Sequence, residues 1–112
     1  MPHPSTWAEI NLSAIAQNIR ALRQITRPKS LFTAVVKANG YGHGAIKVAQ
    51  TALENGADRL AVARIDEALP LRKAGIEAPI LILGHTAVED LQEGIENKLM
   101  LTIVSPDMAR RY

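Results

Sequence analysis

Cysteine is absent from the 112 residues, which excludes a disulfide scaffold, a thiolate nucleophile and a cysteine-ligated metal together. A large charge of one sign is absent too. Thirteen Lys and Arg against eleven Asp and Glu leave a formal charge of +2, and the basic residues are scattered, so neither nucleic acid nor an anionic membrane is expected as a partner. Long hydrophobic runs are also missing. The longest purely apolar stretches, Ile80–Leu83 among them, fall far short of the roughly 18 residues a membrane span needs. Met1-Pro-His-Pro4 shows no basic segment leading into an apolar one, so no secretory signal is visible. With 47% hydrophobic and 21% charged residues the composition is that of a globular chain, and the cytoplasm is the expected compartment.

Residues 6–12 alternate well enough for a short strand, with Thr6, Ala8, Ile10 and Leu12 on one face. The period then changes: Leu12, Ile15, Ile19, Leu22 and Ile25 form one helical stripe, with Asn11 or Ser13 as cap and Pro28 beyond its end. Arg20, Arg23 and Arg27 share a side of this helix and are expected to form a solvated face. From residue 31 strands alternate with helices about every twenty residues. The strands are Leu31–Val36, Arg59–Ala63, Ile80–Leu83 and Leu99–Val104, and the helices cover Ala45–Glu54, Ile65–Ala74 and a segment from Thr86 to about Glu96. Thr86 and Glu89 have capping-box spacing, and Ser105-Pro-Asp107 opens a further helix. Such βα units imply a parallel sheet, and the continuous apolar strands imply cover on both faces. The fold class is therefore α/β: a short strand and a helix, then four parallel βα units, which suit either the N-terminal half of a (β/α)8 TIM-type barrel, the favoured reading, or a complete small doubly wound domain. Residues 1–12 are the strand segment and residues 13–112 the first half of the barrel domain. An eightfold barrel takes about 250 residues, so the chain is expected to be an N-terminal part of a longer protein.

Lys37 closes the first apolar strand, on the face shared by Thr33 and Val35. Barrel active sites assemble at strand C-termini, where a desolvated lysine becomes a nucleophile or Schiff-base former. A lysine snorkelling into solvent is the other reading, and position alone leaves both open. Gly40, Gly42 and Gly44 then alternate, which suits a sharp turn or the close approach of a ligand. Their order is neither Gly-x-Gly-x-x-Gly nor a Lys-Ser/Thr phosphate loop, so nucleotide binding is poorly supported. His3, His43 and His85 have no metal-ligand spacing. Asp66 and Glu67 stand at a helix start, where they favour its dipole.

Ala34-Val-Val-Lys37-Ala-Asn-Gly-Tyr41-Gly-His-Gly44 resembles the cofactor-lysine motif of the alanine racemase family, fold-type III pyridoxal-phosphate enzymes. Thr6–Ile10, Ala52–Ala57, Leu60–Ala63 with Asp66–Ala68, and Ala78–Gly84 resemble the same family in order. The resemblance spans essentially the whole chain and roughly the first third of the family's usual length. It implies that pyridoxal 5'-phosphate forms a Schiff base with Lys37, and that Lys37 takes the proton from the D-enantiomer in the interconversion of L- and D-alanine. It also implies that Tyr41 binds the cofactor phosphate and that Leu83 lies near the cofactor ring, while a plain core leucine is the other reading of Leu83. His43 belongs to the loop signature and has no catalytic role. The base for the second face is, by the same resemblance, a tyrosine of the partner subunit of a homodimer, which neither Tyr41 nor Tyr112 can be. The chain alone is therefore expected to be inactive and, with open sheet edges, to self-associate. Two other readings are a fold-type III decarboxylase, whose lysine context lacks the Tyr41–Gly44 continuation, and a non-enzymatic pyridoxal-phosphate-binding or self-associating half-barrel module.

Overall fold

The computed structural model describes residues 5–111; residues 1–4, with His3, and Tyr112 lie outside the described residues. The elements follow the order α1 (Leu12–Ile25), β1 (Thr33–Val35), α2 (Lys37–Tyr41), α3 (Ala45–Glu54), β2 (Arg59–Val62), α4 (Ile65–Lys73), β3 (Ile80–Ile82), a 3-10 turn (Val88–Asp90), α5 (Leu91–Glu96), β4 (Met100–Leu101) and α6 (Pro106–Arg111). The strands form one sheet in the order β1-β2-β3-β4, every pair parallel. This is the consecutive βα winding expected of half a barrel.

The register sorts the strand residues into two faces. Ala34 pairs with Leu60 and Leu60 with Ile80, while Val62 pairs with Ile82. These residues and Val36 are buried, together with Ala49 and Ala52 of α3 and Ala68 and Leu71 of α4. Alanines on the helices let them sit close to the sheet, and Leu60, Leu71, Ile80, Ile82, Val36 and Val62 are the largest side chains enclosed there. Each such side chain contributes about 1.5–3 kcal/mol by leaving water. The opposite parity carries Thr33, Val35, Arg59, Ala61, Leu81 and Met100. Only the small Ala61 is covered fully on that side, and Val35 is 40% exposed. The sheet is thus covered on one face and open on the other: the apolar strands alone implied two covered faces, while half of a barrel leaves one uncovered.

Whole-molecule dimensions agree. The radius of gyration is 16.0 Å, against about 13 Å for a compact chain of 100 residues. The accessible surface is 7712 Å², against about 6,100 Å² for a folded 12-kDa monomer. The excess fits the open sheet face and the exposed, irregular residues 5–11.

Several sequence expectations need correction. No strand forms over residues 6–12: residues 7–11 are irregular and exposed, because no neighbouring strand among the described residues supplies a ladder. Helix α1 starts at Leu12 with Asn11 as cap, its Oδ1 accepting from the Ala14 N–H at 3.0 Å. Arg20 and Arg23 do not merely face solvent. Arg20 donates to the Asn55 side chain, and Arg23 donates to the Ser30 carbonyl and lies 3.4 Å from Asp58, whose carboxylate accepts the Phe32 N–H. Those contacts fasten α1 to the end of α3 and to the approach of β1. Thr86 is buried and precedes the 3-10 turn, so it does not cap α5, and β4 is shorter than the apolar run around it. Ser105 does open α6, its Oγ accepting from the Met108 N–H. No helix among the described residues is long and apolar enough to cross a membrane.

At the opposite end of the sheet from Lys37, Arg72 ties the turns together. Its guanidinium donates to the carbonyls of Ile76 (2.8 Å), Ala78 (2.7 Å), Asn97 (2.8 Å) and Lys98 (3.3 Å). Burial lowers its pKa and Glu77 opposes that shift, and an arginine stays charged at neutral pH regardless. Arg72→Met keeps the aliphatic stem and removes the donors. It is expected to cost about 2–4 kcal/mol in urea unfolding, since hydrogen bonds to charged groups contribute about 1.5–3 kcal/mol each before relaxation; a loss below about 0.5 kcal/mol would refute the role.

Candidate active site

Three strand ends meet at one level. The Val36 N–H donates to the Ala61 carbonyl at 2.9 Å, the Leu83 N–H to Val62 at 2.8 Å and the Gly84 N–H to Ala63 at 2.9 Å. Counting two positions past the row Val35, Ala61 and Leu81 therefore reaches Lys37, Ala63 and Leu83. Gly84 lets the loops after β2 and β3 touch, because a Cβ there would stand 2.6 Å from the Ala63 oxygen. Lys37 is exposed, Leu83 is 43% exposed and Tyr41 59% exposed. The Tyr41 hydroxyl has no hydrogen-bond partner among the described residues.

Lys37 opens a turn of unusual hand. Ala38 (φ 51°, ψ 48°), Asn39 (φ 54°, ψ 45°) and Gly40 (φ 64°, ψ 39°) are left-handed, and Tyr41 follows at φ 55°. Left-handed backbone costs an ordinary L-residue about 1–2 kcal/mol, with Asn and Gly better suited to it, so Ala38 and Tyr41 are held there by their surroundings. The loop's own hydrogen bonds do part of this. Gly40 donates to the Val36 carbonyl, Gly42 to Ala38, His43 to Gly40 and Gly44 to Asn39, while the Asn39 Oδ1 accepts from the Ala45 N–H. His43 Nδ1 lies 3.0 Å from the Tyr41 carbonyl. With those five N–H groups engaged inside the loop, the alternating glycines shape the chain and do not cradle an anion.

The remaining hold on the turn comes from α4. Glu67 Oε2 accepts from the Ala38 N–H at 2.7 Å, and its Oε1 accepts from Ala63 at 2.9 Å and Arg64 at 3.0 Å. The dipole reading of Glu67 is therefore too small a role: this carboxylate joins the loops after β1 and β2. The bond to Arg64 is half of a capping box, and the Arg64-to-Glu67 spacing was the available signal. Asp66, by contrast, pairs with the exposed Arg64 side chain. No group of three or more His, Asp or Glu suitable for a metal occurs among the described residues.

A profile of the family described as alanine racemase, N-terminal domain, matches residues 10–112. The chain belongs to this family. It is 56% identical over 107 residues to an alanine racemase of Methanococcus maripaludis, covering 96% of this chain and 28% of the relative. With an alanine racemase of Geobacillus stearothermophilus it shares 50% identity over 105 residues, covering 94% and 27%. The crystal structure of an alanine racemase from Bacillus anthracis with bound L-Ala-P superposes with a TM-score of 0.92 at 43% identity, covering 98% of this chain and 28% of that one. An alanine racemase of Clostridium difficile gives a TM-score of 0.92 at 38% identity, covering 99% and 31%. The chain thus spans a little over a quarter of the length of these relatives. Membership in the alanine racemase family implies pyridoxal phosphate, and the residues present fit one side of it. Lys37 offers an accessible amine, Val35 and Leu83 offer uncovered apolar flanks, and Tyr41 offers an unengaged phenol.

The left-handed turn depends on Gly40, where an added Cβ would lie 3.3 Å from the Ala45 Cα and 3.5 Å from Val48 Cγ2. Gly40→Ala is expected to lower stability by about 2–4 kcal/mol, from the left-handed strain plus overpacking. Gly42→Ala, with nothing within 4 Å, carries the strain alone, about 1–2 kcal/mol. Equal losses in parallel denaturation curves would show that the contact with α3 is immaterial.

Proposed function

We propose that this domain is the lysine-bearing part of an alanine racemase that interconverts L- and D-alanine in the cytoplasm with pyridoxal 5'-phosphate, as a homodimer. The observation that carries the reading is Lys37 itself. It is exposed at the C-terminal end of a parallel strand, at the head of a turn held against its intrinsic preference, within a domain about half identical to alanine racemases. Pyridoxal phosphate, when bound, supplies the electron sink that makes the substrate Cα proton acidic. The protein's residues hold and move the proton. In this reading the Lys37 amine binds the cofactor and exchanges the Cα proton on one face of the substrate. The Tyr41 phenol holds the phosphate, and Leu83 with Val35 keeps water from one side of the ring. The base for the opposite face is a tyrosine contributed by the partner subunit outside this segment.

Lys37→Ala in the full-length polypeptide is expected to abolish the absorbance of lysine-bound cofactor. Racemisation should fall by at least the roughly 10²–10⁴-fold attached to a general acid–base group. Retention of that absorbance in the variant would move the attachment to another lysine.

The open sheet face supports a second property, self-association of the 112-residue chain on its own. Strands β1 and β4 each have one edge unpaired among the described residues, and free edges with adjoining apolar surface drive pairing. A few hundred Å² of such surface, at about 25 cal/mol per Å², amounts to several kcal/mol before association entropy. Light scattering on the purified chain is expected to show dimers or larger species at micromolar concentration, and a compact, cooperatively unfolding monomer would refute it.

A further inference from the structure

We infer that Glu67 is a positioning residue for Lys37: its carboxylate locks the peptide bond after the lysine and thereby fixes the direction in which the lysine stem leaves the sheet. The inference rests on Lys37 being the cofactor-binding amine. Lys37 is flanked by two backbone anchors one residue away on either side. On the N-terminal side the Val36 N–H donates to the Ala61 carbonyl at 2.9 Å, the last rung between β1 and β2. On the C-terminal side the Ala38 N–H donates to Glu67 Oε2 at 2.7 Å. The first anchor is ordinary sheet. The second holds a residue in left-handed backbone that an alanine does not choose unaided.

The second oxygen of the same carboxylate shows why a charged group is used. Oε1 accepts two N–H groups, from Ala63 and Arg64, at the end of β2 and the start of α4. Three donors converge on one side chain, and only a carboxylate offers acceptors to all of them. Because Ala61 and Ala63 belong to the same strand end, both anchors of Lys37 refer to β2. The lysine is thus registered against its neighbouring strand twice, once through the ladder and once through Glu67. A rotation of the Lys37–Ala38 peptide would break the second link and release the turn that carries Tyr41.

Glu67→Gln separates this role from helix capping. The amide oxygen can still accept from Ala63 and Arg64, while the amide NH2 then meets the Ala38 N–H donor to donor. In the full-length enzyme this variant is expected to melt within a few degrees of wild type. Hydrogen exchange at the Ala38 amide should accelerate at least tenfold, with little change at Ala63 and Arg64. Capture of added pyridoxal phosphate by Lys37, followed by absorbance, should slow at least tenfold, and kcat should fall more than KM rises. Adding Ala38→Gly, for which left-handed backbone is inexpensive, should recover part of the capture rate. Capture within twofold of wild type in Glu67→Gln overturns the inference. So does a loss that follows a lowered melting temperature and is not relieved by Ala38→Gly, because Glu67 then serves only the fold. Wild-type capture that survives Lys37→Ala would instead refute the reading of the site, and the Ala38 exchange experiment stands apart from it because it needs no cofactor.

Discussion

The structure around the site depends on one constraint: the chain must leave β1 at Lys37 and reverse within seven residues to start α3 at Ala45. A right-handed turn carries the chain onward, whereas the left-handed run of Ala38, Asn39 and Gly40 folds it back against α3. That hand is unfavourable for an alanine and a tyrosine, so it persists only because several weak contacts agree. Asn39 caps the start of α3 with its side chain, Gly40 fits where a Cβ would crowd the Ala45 backbone, and Glu67 binds the amide of Ala38. The position of the amine follows from the turn. Strain of this kind at the residues beside a reactive group is one way a fold gives a flexible side chain a defined origin.

How much of this was readable from the residues depended on whether the signal was local. The βα rhythm was legible because apolar periodicity and Gly or Pro punctuation act within one element, and β1 to β3 and α3 to α4 stand close to where the pattern puts them. The strand over residues 6–12 failed because alternation reports a preference, and a strand exists only beside another strand. Thr86 failed as a cap for a related reason: burial of its side chain and a 3-10 turn intervene before α5. Arg20 and Arg23 looked solvated because their acceptors lie elsewhere in the chain, 35 residues away for Asn55 and on the far side of a loop for Ser30.

Glu67 is the more instructive case. Its three-residue spacing from Arg64 was a local signal of the capping bond that the dipole reading passed over. The bond to Ala38 joins residues 29 apart, and nothing in either segment announces the other. The lysine motif points to Lys37 as the proposed cofactor amine, but only the packing of α4 beside the turn brings Glu67 to the amide that follows it.

The packed core and the face that leads to Lys37 occupy opposite parities of the same strands. Val35 and Val36 are adjacent, yet Val36 is 1% exposed in the core beneath the helices while Val35 is uncovered on the face that leads to Lys37. The six largest enclosed side chains lie in the helix-side layer, so the core closes without help from the open face. Changes at Val35 or Leu83, 40% and 43% exposed, therefore remove less buried area than changes at Val36, and part of their effect comes through whatever that face contacts. Changes at Val36 or Ile82 open a cavity in close-packed surroundings and act through folding. An open face of this kind leaves apolar surface wet unless other elements cover it. Water exclusion is what strengthens electrostatics at a lysine end and what a proton-transfer site requires. The face that contributes least to holding this domain together is thus the one that leads to Lys37 and on which the proposed chemistry depends.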